Sequence, residues 1–255
     1  MALFGGKTPP QLTLTDAITI GFRTVLQPNF VIPILVIGAV VNLIVIAALV
    51  PIVVGLVLGS DKDALVIGGT IVASILGAVI AGIVGGLLLN LYGQVWATMA
   101  SVGEAPTMQG AFARVGERWM SILGAGLITG AISLGIIIVA GIVAALLGPL
   151  GVLILLIAAI AAIYIGARLS MSGWLAADGA AAMDAVKTSW AMTEGKLLLI
   201  VGWGLAFAIV FGIVGSILGA ILGVIPLIGP AVSQTVVAAF GFGAGVTLYR
   251  KVKGS

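Results

Sequence analysis

Long charge-free apolar runs dominate the chain. They are Thr24–Ser60, Ala64–Gly103, Trp119–Ala167 and Leu197–Tyr249. A helix needs about 20 apolar residues to cross the hydrocarbon of a bilayer. The first two runs each hold one such helix with slack. The last two each hold two, provided a turn divides them. Both contain one: Gly148-Pro149-Leu150-Gly151 in the third, and Pro226-Leu227-Ile228-Gly229-Pro230 in the fourth. Proline and glycine are the expected turn formers. The pattern predicts an all-α polytopic membrane protein with six transmembrane helices, at roughly 30–58, 65–99, 119–147, 152–175, 197–224 and 231–250.

Three short segments between these runs are amphipathic. In the first, Ile18, Phe22, Val25 and Leu26 recur at helical spacing. In the second, Met108, Phe112, Val115 and Trp119 do the same, and in the third Val186 and Trp190 are four apart. One apolar face per segment with polar residues opposite suits a helix lying in the membrane interface. Asp16, Gln109 and Asp184 fall near the three helix starts, where a carboxylate complements the helix dipole. The expected architecture is a single transmembrane domain of three parallel repeats, about 12–100, 105–176 and 180–250. Each repeat is an interfacial amphipathic helix followed by a transmembrane hairpin. Like-facing repeats count against inverted-repeat transporter folds.

Composition agrees. Hydrophobic residues make up 62%, charged residues 7%, and the mean hydropathy is +1.35. A soluble domain carries roughly 25% charge, so this chain cannot coat a globule in water. Alternating the six helices across the bilayer sorts the basic residues. Lys7, Arg23, Arg114, Arg118, Arg168, Lys187, Lys196, Arg250, Lys251 and Lys253 fall on one side, and only Lys62 on the other. By the positive-inside rule both termini are expected on the cytoplasmic face of a prokaryotic plasma (inner) membrane. The first 25 residues hold Lys7, Pro9, Pro10, Asp16 and Arg23 and no continuous apolar core, which predicts no cleavable signal peptide. A net charge of +3 is too small for a nucleic-acid footprint.

The chain has no histidine and no cysteine. That removes disulfides, thiolate chemistry, ordinary zinc sites and triads built on His or Cys. No acidic residue lies deep in a predicted helix, which argues against a proton-coupled pump. No catalytic residue, cofactor or metal is expected.

The segment Tyr164-Ile165-Gly166-Ala167-Arg168-Leu169-Ser170-Met171 is followed, after a short link, by Ala182-Met183-Asp184-Ala185-Val186-Lys187-Thr188-Ser189-Trp190-Ala191-Met192-Thr193-Glu194-Gly195-Lys196. This pattern resembles the glycerophosphoryl diester phosphodiesterase membrane-domain family and the similar YciC-like proteins. The resemblance is clearest over about residues 160–215. It implies a membrane module without hydrolase chemistry, because the phosphodiesterase activity of that family belongs to a separate soluble domain.

Candidate functional residues are few. Arg168 follows a long apolar helix, with Asp178, Asp184 and Glu194 as candidate partners. Snorkelling to lipid phosphate is its simpler reading. Trp119, Trp174, Trp190 and Tyr249 suit an aromatic belt. Arg23, Arg114, Arg118, Arg168, Lys187, Trp190 and Lys196 are the candidates for lipid headgroup or interface contacts. Asn42, Asn90 and Gln94 are polar groups in or near spans, expected to hydrogen-bond between helices. Gly82 with Gly86, Gly126 with Gly130, Gly215 with Gly219 and Gly223, and Gly241 with Gly245 are spaced for close helix packing, expected within the chain. The expected function is a non-catalytic integral membrane protein, acting as a structural or lipid-associated module or an accessory subunit of a membrane complex. The alternative is a transporter or channel for a small or lipidic solute. Membrane lipids and other integral membrane subunits are the expected partners.

Overall fold

The computed structural model describes residues 12–58, 64–104, 106–222, 224–225 and 228–254. Lys7, Lys62, Gly223 and the expected turn positions 59–63 and 226–227 lie outside the described residues. The described chain is helical, with no strand. In order come α1 (Leu14–Val25), α2 (Pro28–Leu58), α3 (Ala64–Ser101), α4 (Met108–Leu147), α5 (Gly151–Leu169), α6 (Ser172–Ala177), α7 (Ala182–Met192), α8 (Leu197–Leu222) and α9 (Ile228–Gly254). Five helical stretches are long and apolar enough to cross a membrane: Pro28–Pro51, Gly68–Ser101, Met108–Ala177, Leu197–Leu222 and Gly229–Gly254. The third stretch folds back on itself. A 3-10 turn at Gly148–Leu150 separates α4 from α5, and Gly148 adopts φ +56°. A left-handed glycine followed by proline ends a helix abruptly.

Local sequence explains the helix boundaries. At α1, the Thr13 hydroxyl accepts from the Asp16 N–H at 3.2 Å, and the Thr13 N–H donates to Asp16 Oδ2 at 2.9 Å. This reciprocal pair is a capping box. Thr107 caps α4 through the Gly110 N–H at 3.1 Å. Asp184 sits in the first turn of α7, where its charge meets the helix dipole.

The second amphipathic segment differs from expectation. It is not a separate helix but the first turns of α4, which runs unbroken from Met108 to Leu147. Nothing between Val115 and Trp119 breaks it. By contrast, Pro28 follows α1, and Gly195 at φ +72° follows α7. At 40 residues α4 is about 60 Å long. That exceeds the hydrocarbon thickness of a bilayer, so a span within α4 can leave out its charged first turns.

The elements pack at one end. α2 pairs with α3, α4 with α5, and α8 with α9. α9 is the central helix, touching α1, α2, α3 and α8, while α4 also carries α6 and α7. The buried core joins the start of α2 (Phe30, Ile34), the end of α3 (Leu91–Ala100), the α5–α6 junction (Leu169–Ala177) and the second half of α9. Phe30 lies 4.8 Å from Trp96 and 6.1 Å from Phe242, ring centre to ring centre. Away from this end the hairpins are bare. In the most apolar 18-residue window of Met108–Ala177 only 6% is buried, against 50% in that of α9. α9 is also the least hydropathic of the five. That ordering is opposite to a water-soluble protein, and it fits lipid as the outer solvent.

The amphipathic segments bury only part of their apolar faces: Val186 of α7 is buried, but much of the rest is not. α1 buries Ala17, Ile20, Gly21 and Thr24, while Phe22 and Leu26 stay exposed. Met108, Phe112 and Trp119 are exposed on α4, and Trp190 on α7. Small residues let backbones approach, so Ala17, Gly21 and Ala185 sit at the contact, while Phe22 and Phe112 keep one side on a ring (Phe240 at 5.0 Å, Tyr92 at 4.8 Å) and expose the other.

Glycine use agrees with the expected stripes in part. A Cβ on Gly82, Gly86, Gly126, Gly130 or Gly219 would meet nothing within 4 Å. These glycines therefore do not pack within the chain. The α9 stripe does pack within the chain as expected: a Cβ on Gly245 would lie 2.7 Å from the Trp174 ring and one on Gly241 3.7 Å from the Phe211 ring, while one on Gly215 of α8 would come within 3.7 Å of Val237. Other close approaches fall outside the stripes. A Cβ on Gly93 would lie 2.3 Å from the Phe242 ring, and one on Gly243 would lie 2.9 Å from the Gly21 Cα. Gly93→Val should lower the stability of the full chain by about 1–3 kcal/mol. Gly82→Ala should leave stability unchanged or raise it by up to about 1 kcal/mol. Thermal unfolding in detergent checks both.

Candidate functional site: polar clusters at the packed end

The packed end holds two polar clusters. The first is centred on Asp178, the C-cap of α6. Gly179 follows at φ +121°, a conformation favourable to glycine, and turns the chain toward α7. The Asp178 carboxylate thereby faces the last turns of α9. Arg250 donates to it through both terminal nitrogens, Nη1 to Oδ2 and Nη2 to Oδ1, each at 3.1 Å. Tyr249 Oη donates at 2.7 Å and Lys253 Nζ at 2.6 Å, both to Oδ2. Arg250 reaches further: Nε donates to Ser101 Oγ at 2.8 Å, and Nη2 to the Thr98 carbonyl at 3.3 Å. One carboxylate and one guanidinium thus tie the end of α3, the α6–α7 turn and the end of α9.

Burial alone would push the Asp178 carboxyl up. The hydrogen bonds from Lys253 and Tyr249 and the Arg250 charge outweigh it, and hold the group below the ordinary carboxylate value. The group is therefore ionised at neutral pH and saturated with donors, which suits it to holding the fold rather than to accepting a proton in catalysis.

The second cluster surrounds Arg168, in the last turn of α5. Its carbonyl oxygen accepts from Ser189 Oγ at 2.8 Å and from Thr193 Oγ1 at 3.2 Å, so α7 caps the end of α5. Ser189 Oγ also accepts from the Met171 N–H at 3.3 Å. The guanidinium lies over the Trp190 ring at 4.7 Å and near the Tyr164 ring at 5.9 Å. Residues spread across the resemblance segment therefore meet in space. None of the expected carboxylate partners reaches Arg168: Asp178 is taken by α9, and no ion pair to Asp184 or Glu194 forms among the described residues. Asp178 lies at the α6–α7 turn that faces α9, whereas Arg168 points to the ring face of α7.

The remaining candidates scatter around this end. Arg114 pairs with Glu104 at 3.2 Å on the surface. Arg118 Nη1 donates to the Gly179 carbonyl at 3.2 Å. Lys196 Nζ donates to the Val252 carbonyl at 2.8 Å, tying the start of α8 to the end of α9. Arg23 is half-buried in the last turn of α1, and Lys187 is exposed on α7. Asn42, Asn90 and Gln94 do not join helices as expected. Asn42 donates to the Gly38 carbonyl at 2.9 Å, and Gln94 donates to Asn90 Oδ1 at 2.9 Å, each within its own helix. Asn90 faces Ile122 and Leu123 of α4, which offer no side-chain partner, and Gln94 lies against Gly173 of α6, which has no side chain. The roles of Tyr249, Arg250 and Ser101 went unread in the sequence. The one signal was the Tyr249-Arg250 pair closing a charge-free run.

Comparison of the chain with protein-family models, with curated proteins and with solved structures gives no match in any of the three.

Asp178→Asn should destabilise the full chain by about 2–3 kcal/mol, because it leaves a mostly buried guanidinium without its countercharge. The pH dependence has a definite sign. The native carboxyl titrates below its ordinary value of about 3.9. The network's contribution is therefore complete above that value and is lost as pH falls through the lower native one. Thermal unfolding in detergent should show wild-type stability falling below about pH 4, with a shallower fall in Asp178→Asn.

Proposed function

We propose that the chain is a non-catalytic integral membrane protein, serving as a lipid-associated structural module or as an accessory subunit of a membrane complex. It crosses the membrane six times as three like-facing hairpins, with both termini on the cytoplasmic face of a prokaryotic plasma membrane. The fold-back at Gly148–Leu150 supports two crossings within Met108–Ala177. The one-sided distribution of basic residues supports the orientation. The three-repeat plan draws support from the matched starts of α1, α4 and α7, each with a polar residue in its first turn. The resemblance around Arg168 and Trp190 supports membership of the membrane-domain family named above, and with it a role without hydrolase chemistry.

One observation carries the functional reading. The outer halves of the hairpins expose apolar side chains on nearly every side, from Leu127 and Ile137 on α4 to Leu153 and Ile160 on α5. Large apolar surface with no partner in the chain is surface for lipid or for another membrane protein. Asn42 and Asn90, bonded within their own helices, do not converge on a solute path.

Purification of the full chain in mild detergent tests this. The expected result is phospholipid, or one other membrane polypeptide, retained at a fixed molar ratio, with no solute flux after reconstitution into liposomes. Flux through the reconstituted chain that disappears in Arg168→Ala would contradict the reading and favour a transporter.

A further inference from the structure

Arg168 has an electrostatic problem that the chain does not solve. The residue is only 7% exposed, and its Nε is buried without an acceptor. No carboxylate pairs with its guanidinium, and no side-chain hydrogen bond of Arg168 forms among the described residues. The Trp190 and Tyr164 rings give it cation–π contact, which is worth far less than the desolvation of a guanidinium. A buried cation of this kind calls for an anion. Arg250, the chain's other largely buried arginine, has one in Asp178.

A groove adjoins the same tryptophan. Ile132 of α4, Ile165 and Leu169 of α5, and Val186, Lys187 and Trp190 of α7 line a cavity of about 390 Å³. Its walls are apolar except at Lys187, an exposed cation one helical turn before Trp190. The combination is an apolar channel, a cation at its edge, and a buried unpaired guanidinium on the ring that lines it. Guanidinium matches phosphate geometry through paired donors, and interfacial tryptophan sits at headgroup depth.

We infer that α4, α5 and α7 form a binding site for one anionic phospholipid. An acyl chain lies along Ile132, Ile165 and Val186, and the phosphate is held between Arg168 and Lys187 beside Trp190. This site rests on the lipid-associated reading above and makes it specific: the phosphate supplies the countercharge that no carboxylate gives Arg168. Ser189 and Thr193 position the arginine by capping its carbonyl, so headgroup binding also holds α7 against the end of α5.

The test uses the full chain in mild detergent, offered phosphatidylglycerol and phosphatidylcholine with identical acyl chains, and read by native mass spectrometry. Wild type should favour phosphatidylglycerol by about tenfold. Arg168→Gln should abolish the preference, and Lys187→Gln should reduce it about threefold. Lys187 is exposed, so its variant keeps the test independent of folding. Inorganic phosphate at the same concentration should not displace the lipid, because it gains nothing from the groove. Equal retention of the two lipids by wild type, an undiminished preference in a folded variant, or displacement by inorganic phosphate would overturn the site. Phospholipid retained without headgroup preference would leave the broader lipid-associated reading standing. A chain that carries no phospholipid at all removes both.

Discussion

The fold closes through a single carboxylate. Asp178 receives both ends of the Arg250 guanidinium, the Tyr249 hydroxyl and the Lys253 ammonium. One of the chain's eight acidic residues thus receives three side chains of α9. The network joins segments 72 residues apart on the α6–α7 side and 149 apart through Ser101. Beside it, α9 meets the ends of α3 and α6 through rings and small residues, Phe242 against Gly93 and Tyr249 stacked on Trp174. Apolar contact discriminates poorly between registers where lipid is equally apolar. Directional charge-assisted bonds set the register that packing alone leaves soft.

That arrangement makes the molecule asymmetric along its long axis. At the packed end, aromatic rings and small residues interlock, and polar groups such as Asp178, Tyr249 and Arg250 find partners, whereas Arg168 Nε finds none. Tyr92 Oη donates to the Asn29 carbonyl, and Asn29 Nδ2 donates to the Pro106 carbonyl at 3.3 Å, so the α3–α4 link is fastened to the start of α2. At the other end the hairpins carry leucine, isoleucine and valine outward. In water this surface would drive aggregation; in hydrocarbon it costs nothing to expose. The basic residues collect where the packing is, which is also where lipid phosphates would lie. Charge, packing and the exposed faces of α1 and α7 thus specify the same boundary.

Much of the architecture was legible in the residues. Charge-free runs broken at Gly148-Pro149 marked α4 and α5, because length and turn chemistry are local properties. The start of α1 was legible for the same reason: Asp16 sits three residues after its capping threonine. What escaped were long-range choices. Gly82 and Gly93 lie in the same apolar helix, yet only Gly93 meets a ring, and nothing nearby in the sequence distinguishes them. Arg168 and Arg250 both end apolar helices, and Asp178 lies far closer in sequence to Arg168. The turn at Gly179 aims it at α9 instead. The second amphipathic segment looked like the first and third because its residue pattern matches theirs. Its continuity with α4 depends on the lack of a breaker, which the pattern of apolar residues does not register.

The central claim is that the packed basic end faces one side of a bilayer and the α4–α5 turn the other. The chain lacks cysteine, so two single-cysteine forms, Leu150→Cys at that turn and Gly254→Cys at the end of α9, address it directly. A membrane-impermeant thiol reagent added to sealed cells should modify position 150 and leave position 254 untouched until the membrane is opened. Modification of both positions from outside, or of position 254 alone, would contradict the account.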